Sequence, residues 1–544
     1  MNIDTPNPGA GGLCYQVSLF GVFLGTGVSV FFLWGFTADD AFIVYRYARN
    51  CVAGEGLVFN PGDHVSALTS PLHALLCTLL ELLPFSIVIT NKLLSLALVA
   101  GACLWACRRL NYGPFLAFLF SGTVLASPLV IFWSVGGLET PYLLVLFVIA
   151  YCLLGSNEES PSRRTTCIAS LICGICFLAR HDSILFTGPM LVHGITRQLA
   201  HKRDAVLSAG LLVLPAILVA GSWLLFSLFY YKDILPTSYY SKGIEYSWYM
   251  SAANTVYIGQ FLTLTGLPII VGFHLCVFSL RKDTNYPNII RSWLVRNWGP
   301  LVGLLFTCLY GLGMVTTHMM FSYRFLIPFL PILVFLAIDL FRRLPHGQVA
   351  SAHSLLASGT VMCVLHGIVI VTLLKFSLNL GAIGEYRSLT LEQYQGFVQV
   401  LESQCDTIHS HWSRTQQRRK GIAGPDDRPT VYVYAAGVAG YRLAGFRIVD
   451  SSIISYRHYF RGGSSGVSRA ADYLVVTSRH GRYETQLGGL LKNLEPLQGA
   501  EKWIDFDGRQ ESFNVYYNPA PSGLRLPDYV NGPSPSLSGP SSRQ

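Results

Sequence analysis

Two adjacent carboxylates, Asp39 and Asp40, stand where the first long apolar run gives way to the segment TADDAFIVYRYARN, residues 37–50. Like charges that close raise the pKa of one member and make it a better general base. At an apolar boundary a charge is costly unless it is paired or used. The plainer reading is helix capping, with Thr37 at the cap and both acids favouring the positive helix end. Either way a short helix begins near Asp39, stops at Gly54 and Gly56, and is followed by a turn at Asn60-Pro61-Gly62.

Four more polar sets recur in short loops between apolar runs. Glu139 lies in GGLET, residues 136–140, and a helix-start acid facing water is its ordinary reading. Arg180 and Asp182 flank His181, a spacing that also suits an ion pair tying two helix ends. Tyr239, Tyr240 and Lys242 lie in LPTSYYSK, residues 235–242, where tyrosines suit an interfacial aromatic belt. Tyr323 and Arg324 precede Pro328 and Pro331, and an arginine there can simply snorkel. Taken together these loops place acids, bases and tyrosines at one end of the apolar segments, as an outward cavity binding an anion beside a carboxylate base would require.

The elements that must position these groups are membrane spans. Of the 544 residues, 51% are hydrophobic and only 13% charged, against about 25% charged in soluble domains. Eleven candidate spans can be drawn, near 16–36, 85–107, 114–134, 140–155, 166–180, 183–198, 205–230, 255–280, 298–317, 323–341 and 350–374. Thirteen Lys and Arg fall in one set of connecting loops, among them Arg108, Arg109, Arg342 and Arg343. Six fall in the other: Arg46, Arg49, Arg180, Lys232, Lys242 and Arg324. The positive-inside rule makes the first set cytoplasmic, with the amino terminus inside and everything after about 375 outside. The formal charge of +9 is therefore topological, and nucleic acid is not an expected partner. The opening residues lack the basic start of a cleaved signal, so the first run is expected to be retained.

After the last span the chain changes character. TVYVYAA, ADYLVVT and FNVYYN, at residues 430–436, 471–477 and 513–518, read as short strands in a small extracytoplasmic α/β domain covering 375–518. Residues 519–544, rich in Pro, Ser and Gly, read as a disordered tail. Most of the 13 cysteines lie inside apolar runs as small hydrophobes. Cys173 and Cys176 form a CxxC without a second pair. Cys51 and Cys405 both fall outside the bilayer, which leaves a disulfide open.

The segment "AFIVYRYARN…GEGLVFNPGD…TSPL" after the Asp-Asp pair, and the ordered recurrence of "GLET", "ARHD", "LPTSYYSK" and "YRFLIPFLP", resemble the GT-C class of polyprenyl-phosphate-sugar-dependent glycosyltransferases. The order of these motifs resembles that of the bacterial branch that includes mycobacterial terminal arabinofuranosyltransferases, and "AAGVAGYRLAGFRIVDSS" resembles its extracytoplasmic domain. The likeness covers most of residues 16–480. Several relatives read RPD where this chain has Arg180-His181-Asp182, and PNTFYAK in place of residues 236–242, which leaves the sugar open.

The resemblance implies a GT-C-like membrane domain over 1–374, in the inner membrane, that carries out inverting transfer from a polyprenyl-phosphate sugar to a glycan or glycolipid hydroxyl. Asp39 is then the first choice of base and Asp40 the second, with Glu139 or the second Asp facing the positive transition state. Arg324, Lys242 and Arg180 would meet the phosphate, with Asp182 beside them, and Tyr239, Tyr240 and Tyr323 would bind phosphate or sugar. No cofactor is required, and a divalent metal ion is left open because the class varies. A flippase or transporter of lipid-linked sugars is one alternative, although its polar groups should sit at the midplane of broken helices. A catalytically inactive assembly protein is the other.

Overall fold

The computed structural model describes residues 10–155, 162–201, 205–237, 239, 248–264, 286–314, 321–343, 391–418, 428–433, 436–450, 472–477, 495–504 and 510–517. Its order begins α1 (Ala10–Leu33), α2 (Asp39–Val52), α3 (Pro71–Glu81), α4 (Ile87–Arg109), α5 (Pro114–Leu125), α6 (Pro128–Val135) and α7 (Thr140–Leu154). It continues with α8 (Arg163–Ala179), α9 (Ile184–His201), α10 (Ala205–Tyr230), α11 (Trp248–Leu264), α12 (Tyr286–Arg296), α13 (Trp298–Met314) and α14 (Leu330–Arg343). Helices fall within ten of the eleven expected spans, with residues 265–280 of the span expected at 255–280 outside the described residues. The eleventh, at 350–374, lies outside the described residues, as do the domain boundary there and the tail from 519.

By length and composition, among the described residues only α4 and the Ala209–Tyr230 part of α10 are long and apolar enough to cross a bilayer alone, or up to three spans if a bent pair counts as one. That bent pair is the expected 114–134 span. It turns by 52° between α5 and α6, because Pro128 has no N–H to continue the ladder and instead opens a new helix. The span expected at 323–341 also starts late: two 3-10 turns, Phe321–Tyr323 and Ile327–Phe329, precede α14. Pro328, inside the second turn, accounts for part of that delay.

Bulky apolar side chains such as Phe31, Leu79, Phe85, Leu218 and Phe229 are exposed on the flanks, while Trp133, Phe132 and Phe147 fill the centre. An apolar surface of that extent fits lipid. Lys92, in the apolar helix α4, is 4% exposed and donates to the carbonyls of Trp34 and Phe36 at 2.6 and 2.8 Å. It thereby satisfies acceptors left open where α1 ends.

The carboxyl-terminal part consists of α15 (Leu391–Arg418), β1 (Thr430–Val433), α16 (Ala436–Arg442), β2 (Arg447–Asp450), β3 (Tyr473–Thr477), β4 (Glu495–Ile504) and β5 (Gln510–Tyr517). The sheet order is β2-β1-β3-β5-β4. β1 pairs in parallel with β2 and β3, and β5 pairs antiparallel with β3 and β4. Three of the five strands fall where alternation in the sequence put them. β2, four residues long, and β4, irregular between Pro496 and Glu501, carry too weak a period to read. Cys51 and Cys405 are free thiols, as are Cys173 and Cys176.

Candidate functional site

The helix starting at Asp39 forms as expected, but its cap differs. Ala38 is the N-cap and no side chain caps it, because Thr37 falls one residue too early. The Asp39 N–H donates instead to the Tyr394 hydroxyl of α15 at 2.6 Å, and Ala38 N–H donates to Gly136 O at 2.9 Å. The second contact sets the first connecting segment against the turn that carries Glu139.

That turn is tightly built. Gly137 has φ +80, where a side chain is strained, and a Cβ there would meet Ala41 and the Tyr45 hydroxyl. The Asn91 amide donates to Gly137 O at 3.1 Å and to the Tyr45 hydroxyl at 3.0 Å, and Asn91 Oδ1 accepts from Tyr142. Glu139 is consequently fixed in place, 2% exposed.

Around Glu139 the charged motif residues form one chain of contacts. Arg324 Nη2 donates to both Glu139 oxygens, at 3.0 and 2.9 Å. Its Nη1 stands 3.6 Å from Asp40 Oδ2, whose side chain is 65% exposed. Arg180 donates to Glu139 Oε1 at 3.0 Å and forks onto Asp182 at 3.0 and 2.7 Å. Four connecting segments thus meet in the order Asp40–Arg324–Glu139–Arg180–Asp182. Burial alone would raise the Glu139 pKa, but Arg324 and Arg180 outweigh it and hold the carboxyl down at about 2. Arg324 also lies 5.7 Å over the Trp133 ring, while its buried Nε has no hydrogen-bond partner among the described residues. The backbone leading to it is strained: Ser322 and Tyr323 take φ of 49° and 56°, a conformation costly for residues with a Cβ. Trp133 Nε1 donates to Ser322 O at 2.9 Å and helps hold that turn.

Asp39 is placed differently. Its Oδ1 accepts from Val438 N–H at 2.8 Å and its Oδ2 from Gly437 N–H at 3.3 Å, both on α16. Burial, with help from the Asp40 charge, outweighs these donors and pushes its pKa up to about 6.

The other expected site residues divide. Tyr239 is 52% exposed, and its loop docks on the first connecting segment through Thr237 N–H to Ser66 O at 2.7 Å. Tyr240 and Lys242 lie outside the described residues. Tyr323 is 1% exposed. Its contacts run to Tyr257 and Phe261 and, by its hydroxyl, to Gln260 Oε1 at 3.3 Å. Among the described residues no group of three His, Cys, Asp or Glu side chains is set to hold a metal ion.

Sequence reasoning did not single out Arg46, Asn60, Asn91 or Lys92. Arg46 and Arg49 entered it only as cations counted for topology. The signal for Arg46 was its position seven residues after Asp39, on the same helix face.

No family model matches the chain, and no curated protein matches it in sequence. Among solved structures it is similar to ArnT from Cupriavidus metallidurans bound to undecaprenyl phosphate. The identity is 13% and the TM-score 0.48, over 97% of this chain and 100% of that one. The apo state of the same protein gives 12% and 0.47, over 93% and 97%. At these values neither likeness assigns the chain a fold or an activity.

Proposed function

We propose that the protein is a membrane glycosyltransferase that moves a sugar, with inversion, from a polyprenyl-phosphate donor to an acceptor hydroxyl of a cell-wall or surface glycan. The observation carrying this reading is the junction at Arg324, which touches both Asp40, the neighbour of Asp39, and Glu139. Asp39, the carboxylate of raised pKa, is then adjacent in sequence to the Asp40 that contacts the held Arg324 guanidinium, which supplies one group to take a proton and another to receive a phosphate. The sequence resemblance supports the lipid-linked donor and leaves the sugar, a hexose or a pentose such as arabinofuranose, open. The reaction belongs at the outer face of the inner membrane, where a polyprenyl tail lies in the bilayer beside the helix ends.

In this mechanism Asp39 is the base. A group titrating near 6 is ionised at neutral pH yet basic enough to accept a proton. As the acceptor hydroxyl loses its proton to Asp39, its oxygen bonds to the anomeric carbon and the bond from that carbon to the phosphate oxygen breaks. The phosphate leaves as a stable anion, so no general acid is needed. It departs towards Arg324.

Three carboxylates, Asp40, Glu139 and Asp182, share the Arg324 and Arg180 guanidinium groups. An arriving phosphate therefore gains most where a carboxylate can yield. Asp40, exposed and 3.6 Å away, is the one able to swing off Arg324. Glu139 serves as the pin that aims Arg180 and Arg324, and Lys242 is assigned as a further cation for the donor. The buried Arg324 Nε is a donor still open to a phosphate oxygen.

The test is reconstitution of the purified protein with polyprenyl-phosphate pentoses and hexoses. Product is expected with one of them, and none with Asp39→Asn at the same folded yield. Donor flipping without product would move the protein to the transporters; neither outcome in the wild type would make it an assembly protein. Ordinary turnover by Asp39→Asn would remove the base.

A further inference from the structure

The segment from α16 to β2 is gripped at both ends by side chains of α2. At its beginning Asp39 accepts the N–H groups of Gly437 and Val438. Seven residues along α2, or about 10.5 Å at 1.5 Å per residue, Arg46 holds the other end. Arg46 is 1% exposed, and all five of its donors are used. Nη1 donates to the carbonyls of Gly440 and, at 3.1 Å, Leu443, while Nη2 donates to Phe446 O at 2.7 Å and Asn60 Oδ1 at 3.2 Å. Nε donates to Phe59 O at 2.5 Å. α16 itself is seven residues long, so the acid and the base on α2 match its two ends in both length and sign.

The close approach depends on two glycines three residues apart. A Cβ on Gly437 would meet the Asp39 carbonyl and carboxyl carbon, and one on Gly440 would meet the Phe59 ring and the Arg46 stem. Arg49 adds a third hold, donating to Tyr441 O at 2.7 Å with its guanidinium 3.6 Å over the Tyr441 ring. Asn60 supports the same join by bonding both backbone groups of Ile448 in β2.

We infer that the carboxyl-terminal domain is a working part of the active site, and that Arg46 is a positioning residue which, by gripping residues 440–446, holds the Gly437 and Val438 N–H groups on Asp39 and so aims its carboxylate. This deepens the proposed transferase reading and rests on Asp39 being the base. Transfer then requires the docked domain, whose Gly437 and Val438 N–H groups sit on the base itself, although Arg46 does not touch the reacting atoms. A lysine cannot replace Arg46, because an ammonium has three donors and no fork.

The test uses the full-length protein. Arg46→Lys is compared with wild type in polyprenyl-phosphate pentose and hexose assays and in hydrogen exchange of residues 436–446. Gly437→Ala serves as a second variant that leaves Arg46 in place, should Arg46→Lys fold poorly. Both are expected to speed exchange at 437–443 about tenfold or more, to lower kcat about tenfold to a hundredfold, and to leave the donor KM within about threefold. A pH profile separates aim from mere folding. The two N–H donors lower the Asp39 pKa, so losing them moves the acid limb of kcat to higher pH. The other titratable or charged groups around Asp39 are Asp40 with Arg324 behind it, Tyr394 and Cys405, all unchanged in both variants. Faster exchange with kcat and the acid limb unmoved would overturn the inference while leaving Asp39 as base. Normal turnover by Asp39→Asn would instead remove the base assignment and this inference with it.

Discussion

The two ends of the helical bundle treat charge in opposite ways. At the end bearing Asp39, five charged side chains from four connecting segments interlock around a Glu139 that is 2% exposed. At the other end, Arg342 donates to the carbonyls of Leu110 and Asn111 from an exposed position, and Arg343 pairs with Asp339 one helical turn away. That pairing is local to α14, with Asn297 joining at 2.9 Å. What separates them is the burial of Glu139, 3% exposed in its side chain, and the distance of its partners in sequence, since Arg343 and Asp339, at 20% and 15%, pair within one helix. A buried charge needs fixed partners, and segments far apart in sequence must be held together to supply them; an exposed arginine needs only water and lipid phosphate. Charge alone does not mark a site, but charge buried by convergence of loops does.

The largest test of this contrast is Asp39→Asn, expected to lower kcat about a thousandfold or more, since a positioned base contributes about that much. Product formation by equal amounts of folded protein measures it. Next is Arg324→Ala, which strips Glu139 of its bidentate partner and Asp40 of its cation. A fall of about a hundredfold in kcat/KM for the lipid-linked donor is expected, with Arg324→Lys recovering only part. Unchanged donor use by the alanine variant would place the phosphate elsewhere.

Glu139→Gln should be milder in chemistry and harsher in folding. It leaves Arg180 and Arg324 without their shared counter-charge, so a loss of about 3 kcal/mol in stability should appear as a lower melting temperature, with activity falling about tenfold. In wild type, kcat should rise with pH and reach half its plateau near 6, because the base works only when ionised and its pKa is raised to about 6. A flat profile between 5 and 8 would remove Asp39 from the rate. The smallest effect belongs to the opposite end: Arg343→Ala should cost about 1 kcal/mol or less and leave turnover within about twofold. A large loss there would erase the contrast between the two ends.

Some of this organisation was legible in the sequence because it is local. Apolar runs located helices in ten of the expected spans, and the start of α2 and its stop near Gly54 and Gly56, at φ +82 and +88, followed from acids and glycines in order. Other features were legible only as candidates. Arg180 and Asp182, two residues apart, form the ion pair that their spacing allowed, whereas Tyr323, adjacent to Arg324, turns into packing with Tyr257 because the strained backbone at 322–323 swings its ring away from that chain of charges.

The sequence by itself determined that this chain is a set of apolar helices with polar motifs gathered at their connections, since hydropathy and loop charge are properties of short stretches. Only the tertiary structure decided that Glu139 binds Arg324 across 185 residues, and that Asp39 meets Gly437 and Val438 across nearly 400. Hydrogen bonds between residues so distant leave no period in either segment. Arg46 has the same composition signal as any exposed arginine until the fold surrounds it with carbonyls.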